Sequence, residues 1–331
     1  MLHSRVQCAA PSTARALLWA LALGCGPAAA PVDAGSDALL LPDAETPDAP
    51  IADAGPVTVE IFADVGATSE GIGLGHDAAG ASFLYVGTGD GRIVRVTPAG
   101  VVSDFAAIHS PVGLTVRSDG RLLVCASQPA AMGGASGIFG VTVDGVVSLL
   151  VASGPGGTPF TLTNFVAEAP DGSFVFSDSG ADHLFRADAD GGNVSLVTDA
   201  ITFPNGLAFA ADGRTLYVAS WDTTTLFALS FDPDTGIYGA PVATLTDVQH
   251  VDGVVATSTG SVVLVTTSSG VLHADPRMPT APQALLAPSA RLALPANGVF
   301  GDAAFGAHEL FVSALGRRSI SVVHTDLMGV P

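Results

Sequence analysis

The stretch Pro204-Asn205-Gly206-Leu207-Ala208-Phe209, followed by Asp212-Gly213 and then by Arg214-Thr215-Leu216-Tyr217-Val218, decides the fold of this chain. Two runs rich in apolar, β-branched and aromatic residues flank an Asp-Gly pair, which is a turn that joins the two strands of a hairpin. The same phrase recurs along the chain. Its repetition predicts the architecture more strongly than any single copy does.

Six copies of this phrase follow one another at intervals of about 41 to 52 residues. The residues that open them are Glu70, Val112, Asn164, Asn205, Asp252 and, in a degenerate last copy, Gly301 or Asp302. A repeat of about 46 residues is the size of a four-stranded propeller blade. We therefore predict an all-β fold over residues 56–331, a six-bladed β-propeller with four-stranded blades.

The two ends of the repeat region predict how the ring closes. The last copy supplies only three strands, ending at Ile320-Ser321-Val322-Val323, while the run Val57-Thr58-Val59-Glu60-Ile61-Phe62 has no blade of its own. A ring in which this N-terminal strand pairs with the last blade leaves no exposed sheet edge. We predict this closure.

The composition excludes several classes of function. The 331 residues carry a net charge of -19, with 31 acidic residues and 12 basic ones, and every basic residue is arginine. A chain without lysine has no Schiff-base or phosphate-binding lysine. Because an acidic surface repels phosphate backbones, we expect no nucleic-acid partner. With 48% apolar residues the chain is also too hydrophobic to be disordered throughout.

The first 55 residues differ from the repeats. Residues 1–24 contain an apolar run that is typical of an export signal and too short to span a bilayer. The run 22–25 resembles a lipoprotein motif in which Cys25 is lipidated, whereas cleavage after residues 28–30 would give a freely secreted protein. Residues 25–55, rich in Ala, Asp and Pro, predict a disordered tether. We expect an exported protein, either a bacterial cell-envelope lipoprotein or a secreted one, that meets a membrane only through this anchor.

The residues that open the innermost strands of a propeller converge at one mouth of its central channel. Four of the six openings carry side-chain oxygen: Glu70, Asn164, Asn205 and Asp252. Carboxylate and amide oxygens without cysteine or histidine suit a hard cation, Ca²⁺ first and another divalent cation otherwise. Asn and Asp before Gly also make turns or cap strands, but four at one register favour a metal site.

Three of these motifs, Glu70-Gly71, Pro204-Asn205-Gly206-Leu207 with its Asp-Gly turn, and Asp252-Gly253, resemble the gluconolactonase / senescence-marker-protein / luciferin-regenerating-enzyme family. The resemblance covers about residues 57–326. Paraoxonase, diisopropyl fluorophosphatase and strictosidine synthase share the six-bladed architecture. The resemblance implies that Glu70, Asn164, Asn205 and Asp252 bind the metal, and that Asp252 is also the catalytic base or nucleophile.

Two residues depart from that family. Phe165 stands where the family usually has Asp after its first Asn, and Leu162 stands where sugar-lactone hydrolases often carry Arg. Both changes suggest a substrate more apolar than a sugar lactone. The predicted substrate-binding residues are Asn164, Phe165 and the loop residue His250.

Taken together, these features predict an enzyme, a monomeric Ca²⁺-dependent hydrolase of small-molecule lactones or related esters. Either water or Asp252 would attack the polarised carbonyl. Two alternatives stay open: a non-catalytic propeller that binds a ligand at the cell surface, and a strictosidine-synthase-like enzyme. The retained metal-site residues favour the hydrolase, while Phe165 and Leu162 favour divergence.

Overall fold

The computed structural model describes residues 57–127, 136–268, 270–278, 281–287 and 289–330. The predicted export signal, the lipidation candidate Cys25 and the predicted tether lie outside these residues. In the described ranges the regular structure consists of strands and three short 3-10 turns, Pro155–Gly157, Ser179–Ala181 and Ala290–Leu292. These ranges contain no helix with the length and hydrophobicity needed to cross a membrane.

The strands form six antiparallel sheets, each of which is one blade. Blade 1 consists of β2 (Ser69–His76), β3 (Ser82–Thr88), β4 (Arg92–Val96) and β5 (Val102–Ala107). Blade 2 consists of β6 (Pro111–Val116), β7 (Leu122–Ala126), β8 (Gly137–Val141) and β9 (Val147–Val151). Blade 3 consists of β10 (Thr163–Glu168), β11 (Phe174–Asp178), β12 (His183–Ala187) and β13 (Ser195–Thr198).

The second half of the ring repeats this plan. Blade 4 consists of β14 (Pro204–Phe209), β15 (Thr215–Ser220), β16 (Thr225–Asp232) and β18 (Val242–Leu245), with the short β17 (Ile237–Tyr238) also paired to β16. Blade 5 consists of β19 (Val251–Ala256), β20 (Val262–Thr266), β21 (Gly270–Ala274) and β22 (Gln283–Leu286). Blade 6 consists of β23 (Pro295–Phe300), β24 (Glu309–Ala314), β25 (Ser319–His324) and β1 (Thr58–Asp64).

The predicted closure of the ring is confirmed. Strand β1 pairs antiparallel with β25, from Thr58 opposite His324 to Asp64 opposite Ser319, so the first strand of the repeat region completes the last blade. The innermost strands are β2, β6, β10, β14, β19 and β23. Each contacts the next, and β23 contacts β2, so the six strands surround a channel.

Apolar side chains fill the spaces between neighbouring blades. Phe311 of blade 6 and Leu84 of blade 1 belong to one buried cluster. The ring of Phe62, on the closing strand, lies edge-on to that of Phe311, with the ring centroids 4.8 Å apart. Because such clusters bury the blades on both faces, the inner strands are rigid supports for the side chains that face the channel.

Candidate active site

Four polar residues lie at one level of the channel. Glu70, Asn164, Asn205 and Asp252 are each the second residue of an innermost strand, in blades 1, 3, 4 and 5. All four are buried, with at most 5% of their surface exposed. Val112 has the same position in β6 and offers only an apolar side chain. We call this level of the channel the oxygen layer.

The sixth blade corrects one prediction. Strand β23 begins at Pro295, so Gly301 and Asp302 follow the end of that strand and lie at the opposite end of the channel. There Asp302 accepts a hydrogen bond of 2.6 Å from Ser82 Oγ and lies 3.2 Å from His76 Nε2. Neither Gly301 nor Asp302 belongs to the oxygen layer.

The true opening residue of blade 6 is Ala296, and the residue after it is polar. A Cβ on Gly253 would lie 2.8 Å from the carbonyl oxygen of Ala296 and 2.7 Å from Oδ1 of Asn297. Asn297 is buried and its Oδ1 lies against Gly253, the residue after Asp252, yet the sequence analysis missed it. The signal was present in Pro295-Ala296-Asn297-Gly298, which repeats the Pro-Asn-Gly phrase of blade 4 with one residue inserted.

Three of the four side chains of the oxygen layer, and that of the neighbouring Asn297, have buried polar atoms without a hydrogen-bond partner. The atoms without a hydrogen-bond partner are Asn164 Oδ1, both carboxylate oxygens of Asp252, and both amide atoms of Asn205 and of Asn297. Leaving one buried polar atom unpaired costs about 1–3 kcal/mol. Buried polar atoms normally have partners, so this concentration indicates a ligand that completes the site.

Burial raises the pKa of both carboxyl groups. Desolvation raises the pKa of Glu70 well above its usual range, and the nearby negative charge of Asp252 raises it further. Desolvation also raises the pKa of Asp252 to about 7; the polar Asn205 amide nearby lowers it, although the two side chains do not have the geometry of a hydrogen bond. No basic side chain of the described residues offsets these effects. A cation would relieve them, because an opposite charge favours the ionised carboxylates.

The set of donor atoms fits a hard cation. Carboxylate and amide oxygens are the ligands that Ca²⁺ prefers, and two carboxylates balance the charge of one divalent ion. Within the described ranges no three His, Cys, Asp or Glu side chains gather in one place. The oxygen layer differs from such a cluster because amides, rather than further carboxylates, supply its remaining oxygens.

Two buried serines that the sequence analysis missed fix the backbone of this layer. Ser177 Oγ accepts a hydrogen bond from the N–H of Phe165 (3.0 Å) and donates one to the carbonyl oxygen of Asn205 (3.3 Å). Ser313 Oγ similarly donates to the carbonyl oxygen of Glu70. These hydroxyls tie blade 3 to blade 4 and blade 6 to blade 1. The signal was a serine directly after three apolar residues in both β11 and β24.

The two other predicted substrate-binding residues lie on opposite sides of the oxygen layer. Phe165 follows Asn164 along β10 and lines the wide part of the channel beyond the oxygen layer. His250 precedes β19, on the face where the inner strands begin. Its ring lies against that of Trp221, with centroids 4.8 Å apart, and its Nδ1 is 3.2 Å from Ser268 Oγ.

A cavity of about 1110 Å³ occupies the channel beyond the oxygen layer. It begins at Ile72 and Leu114, two residues after the openings of their strands, and continues past Val116, Phe209 and Phe300. The unpaired polar residues do not line it. The channel therefore has two parts, the buried polar layer near the mouth and a wider, largely apolar chamber behind it.

The close packing of the inner strands gives a first prediction. In Gly206→Ala the added Cβ would clash with the carbonyl oxygen of Asp252, a backbone atom that cannot rotate away. Overpacking of this kind costs about 1–3 kcal/mol, so we expect the unfolding midpoint in calorimetry to fall by several degrees. Gly154→Ala is the control, because Gly154 has φ -73° and its Cβ would meet no atom nearer than 3.5 Å. Equal stability of the two variants would contradict the close approach at Asp252.

Solved structures of known proteins share this fold. A gluconolactonase from Xanthomonas campestris aligns with a TM-score of 0.67 and 20% identity, over 82% of this chain and 90% of the other. A calcium-binding protein, regucalcin, from Agrobacterium tumefaciens aligns with a TM-score of 0.64 and 18% identity, over 83% of this chain and 96% of the other. At these identities the likeness shows the fold alone.

The sequence comparison goes further. Pentonolactonase XacC from Haloferax volcanii is 29% identical over 166 residues, which are 48% of this chain and 52% of that protein. The chain spans about half the length of the curated relatives it matches. The family model described as SMP-30/Gluconolactonase/LRE-like region matches residues 70–314, from the opening of blade 1 to the second strand of blade 6. The chain therefore belongs to the SMP-30/gluconolactonase/LRE-like family, as its repeated blade openings predicted.

Proposed function

We propose that this protein is a Ca²⁺-dependent hydrolase of lactones whose active site is the oxygen layer. The observation that carries this proposal is the set of buried, unpaired polar atoms on Asn164, Asn205, Asp252 and Asn297. A buried site with unpaired oxygens and two carboxyl groups of raised pKa, to which no arginine of the described residues contributes a positive charge, is unfavourable by itself. A divalent cation supplies what this arrangement lacks.

Glu70, Asn164, Asn205 and Asp252 would hold the cation, with Asn297 beside them. When bound, Ca²⁺ would act as a Lewis acid that polarises the lactone carbonyl. Its charge would also lower the pKa of Asp252, which burial raises to about 7. Asp252 would then be ionised at neutral pH, as a base or nucleophile must be.

The hydrolysis itself is assigned to Asp252. As a general base its carboxylate would accept a proton from water while the water oxygen forms a bond to the carbonyl carbon. The bond between that carbon and the ring oxygen then breaks, and the proton passes from Asp252 to the ring oxygen. The product is the open-chain hydroxy acid. Direct attack by Asp252, followed by hydrolysis of the acyl-enzyme, gives the same products.

The activities named for the relatives agree with this assignment. Two matching proteins are a pentonolactonase and the lactonase drp35 of Staphylococcus epidermidis, and a third, similar in fold, is a gluconolactonase. The regucalcin of similar fold is a calcium-binding protein. These names support a lactone substrate and a calcium ion.

A lactone panel measured with and without chelator tests the proposed function. Purified full-length protein is assayed against γ- and δ-lactones by the acid released on ring opening, first with CaCl₂ and then after EDTA. We expect hydrolysis that EDTA abolishes and that Ca²⁺ restores better than Mg²⁺, because Ca²⁺ accepts flexible sets of carboxylate and amide oxygens, whereas Mg²⁺ demands a near-ideal octahedron and keeps several waters. Mn²⁺ and Zn²⁺ are tested in parallel.

The same assay can overturn the proposal. Hydrolysis that survives EDTA would exclude the metal dependence. A protein that binds Ca²⁺ in calorimetry but opens no lactone would instead be the non-catalytic binding propeller that the sequence left open.

A further inference from the structure

The mouth of the channel, just above the oxygen layer, is closed by apolar side chains. Leu162 and Phe203 directly precede β10 and β14, while Trp221 and Leu315 directly follow β15 and β24. Adjacent strands of a blade are antiparallel, so all four positions lie on the face where the inner strands begin. Together with Ala296 they form one buried cluster, which we call the apolar cap.

The apolar cap spans the channel. Leu162 belongs to blade 3, Phe203 and Trp221 to blade 4, and Ala296 and Leu315 to blade 6. Blades 3 and 6 are opposite one another in a six-membered ring, and blades 4 and 6 are not neighbours. A cluster that joins them without a member from blade 5 must cross the axis. This explains why the oxygen layer is at most 5% exposed.

The cap is built into the fold by specific hydrogen bonds. Asp178 Oδ1 accepts the N–H of Leu162 at 2.6 Å, and Asp182 Oδ1 accepts the N–H of Phe203 at 2.8 Å. The N–H of Trp221 donates to the carbonyl oxygen of Phe203 at 3.1 Å. These hydrogen bonds fix the backbone under the cap, so a ligand that enters here would have to displace side chains rather than backbone.

The backbone at the mouth has an unusual conformation at the level of the apolar cap. The residue directly before the inner strand has a left-handed φ in four blades: 45° at Ser110, 45° at Phe203, 53° at His250 and 50° at Leu294. Such values are strained for residues other than glycine, and strain of this kind concentrates at functional sites. Among these four residues Ser110, in blade 2, has the smallest side chain.

We infer that the apolar cap selects the substrate, a lactone whose ring carries an extended alkyl or aryl substituent. This inference rests on the proposed lactone hydrolysis. The lactone ring would lie at the oxygen layer and its substituent against Leu162, Phe203, Trp221 and Leu315, replacing contacts that these side chains make with one another. A polyhydroxylated lactone would have to desolvate its hydroxyl groups against carbon, which is unfavourable.

The experiment compares δ-lactones that differ only in the ring substituent. Full-length protein with Ca²⁺ is assayed on δ-valerolactone, δ-nonalactone, δ-dodecalactone and D-glucono-δ-lactone. We expect kcat/KM to rise by up to about fourfold for each methylene that the cap buries, and D-glucono-δ-lactone to be the poorest of the four. Leu162→Ala and Phe203→Ala should flatten this dependence on chain length. Phe300→Ala removes another buried aromatic side chain, at the far end of β23, and should leave this dependence unchanged.

A binding measurement separates this inference from the proposed hydrolysis. The chain has two tryptophans, Trp19 and Trp221, so in Trp19→Phe the tryptophan emission reports on the cap alone. The probe is 6-heptylpiperidin-2-one, the lactam analogue of δ-dodecalactone, compared with piperidin-2-one. We expect only the alkylated lactam to shift the emission of Trp221.

The outcomes then divide cleanly. If lactones are hydrolysed but D-glucono-δ-lactone is preferred, chain length has no effect and Trp221 does not respond, the cap inference is wrong and the hydrolase stands. If no lactone is opened while the alkylated lactam still shifts Trp221, the hydrolase is wrong and the cap remains an apolar ligand site.

Discussion

Asp252→Asn is expected to lower kcat/KM for lactone hydrolysis by about 10³-fold or more. The substitution keeps the size of the side chain but removes the carboxylate that would accept a proton and the charge that would hold the cation. Asp252 is fully buried and its oxygens have no other partner. The loss therefore falls on chemistry at the site, and it is measured as initial rates of lactone opening at saturating Ca²⁺.

The matched control is Asp302→Asn. Asp302 was a candidate for the residue that opens blade 6, but it lies at the far end of the channel, where it accepts hydrogen bonds from Ser82 and backbone N–H groups. We expect this variant to keep its activity. Equal activity of the two variants would show that Asp252 takes no part in the reaction.

The fold was predictable from the sequence because each blade is a local unit. The Asp-Gly pairs at 119–120, 171–172 and 212–213 mark the turn between the first two strands of a blade. The runs of strand-forming residues on either side can be recognised without knowing any long-range contact. The closure also followed from local counting, since one strand was in excess at the N-terminus and one was lacking in the last blade. The structure confirms both predictions.

The site was predictable only where a blade keeps the common phrase. Blades 1, 3, 4 and 5 open with a polar residue as predicted. In blade 6 no acidic or amide residue stands at the second position of the inner strand, and the nearby pair Gly301-Asp302, which follows that strand, gave the wrong register. The start of β23 at Pro295 and the close approach of Gly253 to Ala296 identify Ala296 as the opening residue of this blade.

The apolar cap could not be derived from any local pattern. Leu162 and Leu315 are separated by half the chain, and each has the appearance of an ordinary residue at the edge of a strand. They meet because the ring brings blade 3 opposite blade 6. The sequence analysis took Leu162 as a sign of an apolar substrate because it replaces an arginine of the family. The structure adds that Leu162 belongs to a cluster that crosses the channel.

Removal of Ca²⁺ is expected to lower the unfolding midpoint of the full-length protein by about 5–10 °C. A ligand present at a hundred times its Kd stabilises the folded state by about 2.7 kcal/mol, and a domain of this size shifts by about 2–4 °C for each kcal/mol. The measurement is calorimetry at pH 8 in EDTA and in excess CaCl₂. In Glu70→Gln the calcium-dependent shift should largely disappear, because one of the two charges that hold the ion is gone.

The raised pKa values of Glu70 and Asp252 determine how the stability of the calcium-free protein changes with pH. Burial raises the pKa of Glu70, with help from the charge of Asp252, and raises that of Asp252 to about 7. Without Ca²⁺ the folded state therefore favours the protonated acids, and the stability they contribute is full below about pH 4 and is lost as the pH rises towards 7. Carboxyl groups whose pKa an arginine lowers, such as Asp275 beside Arg277 with a pKa of about 2, change the stability only below about pH 4.

The EDTA-treated protein should thus lose stability between pH 5 and 8, while the increase in unfolding midpoint caused by Ca²⁺ grows. Glu70→Gln should reduce both trends. An unfolding midpoint that ignores EDTA at pH 8, or a Glu70→Gln variant that responds to Ca²⁺ as the wild type does, would show that these carboxylates do not hold a cation.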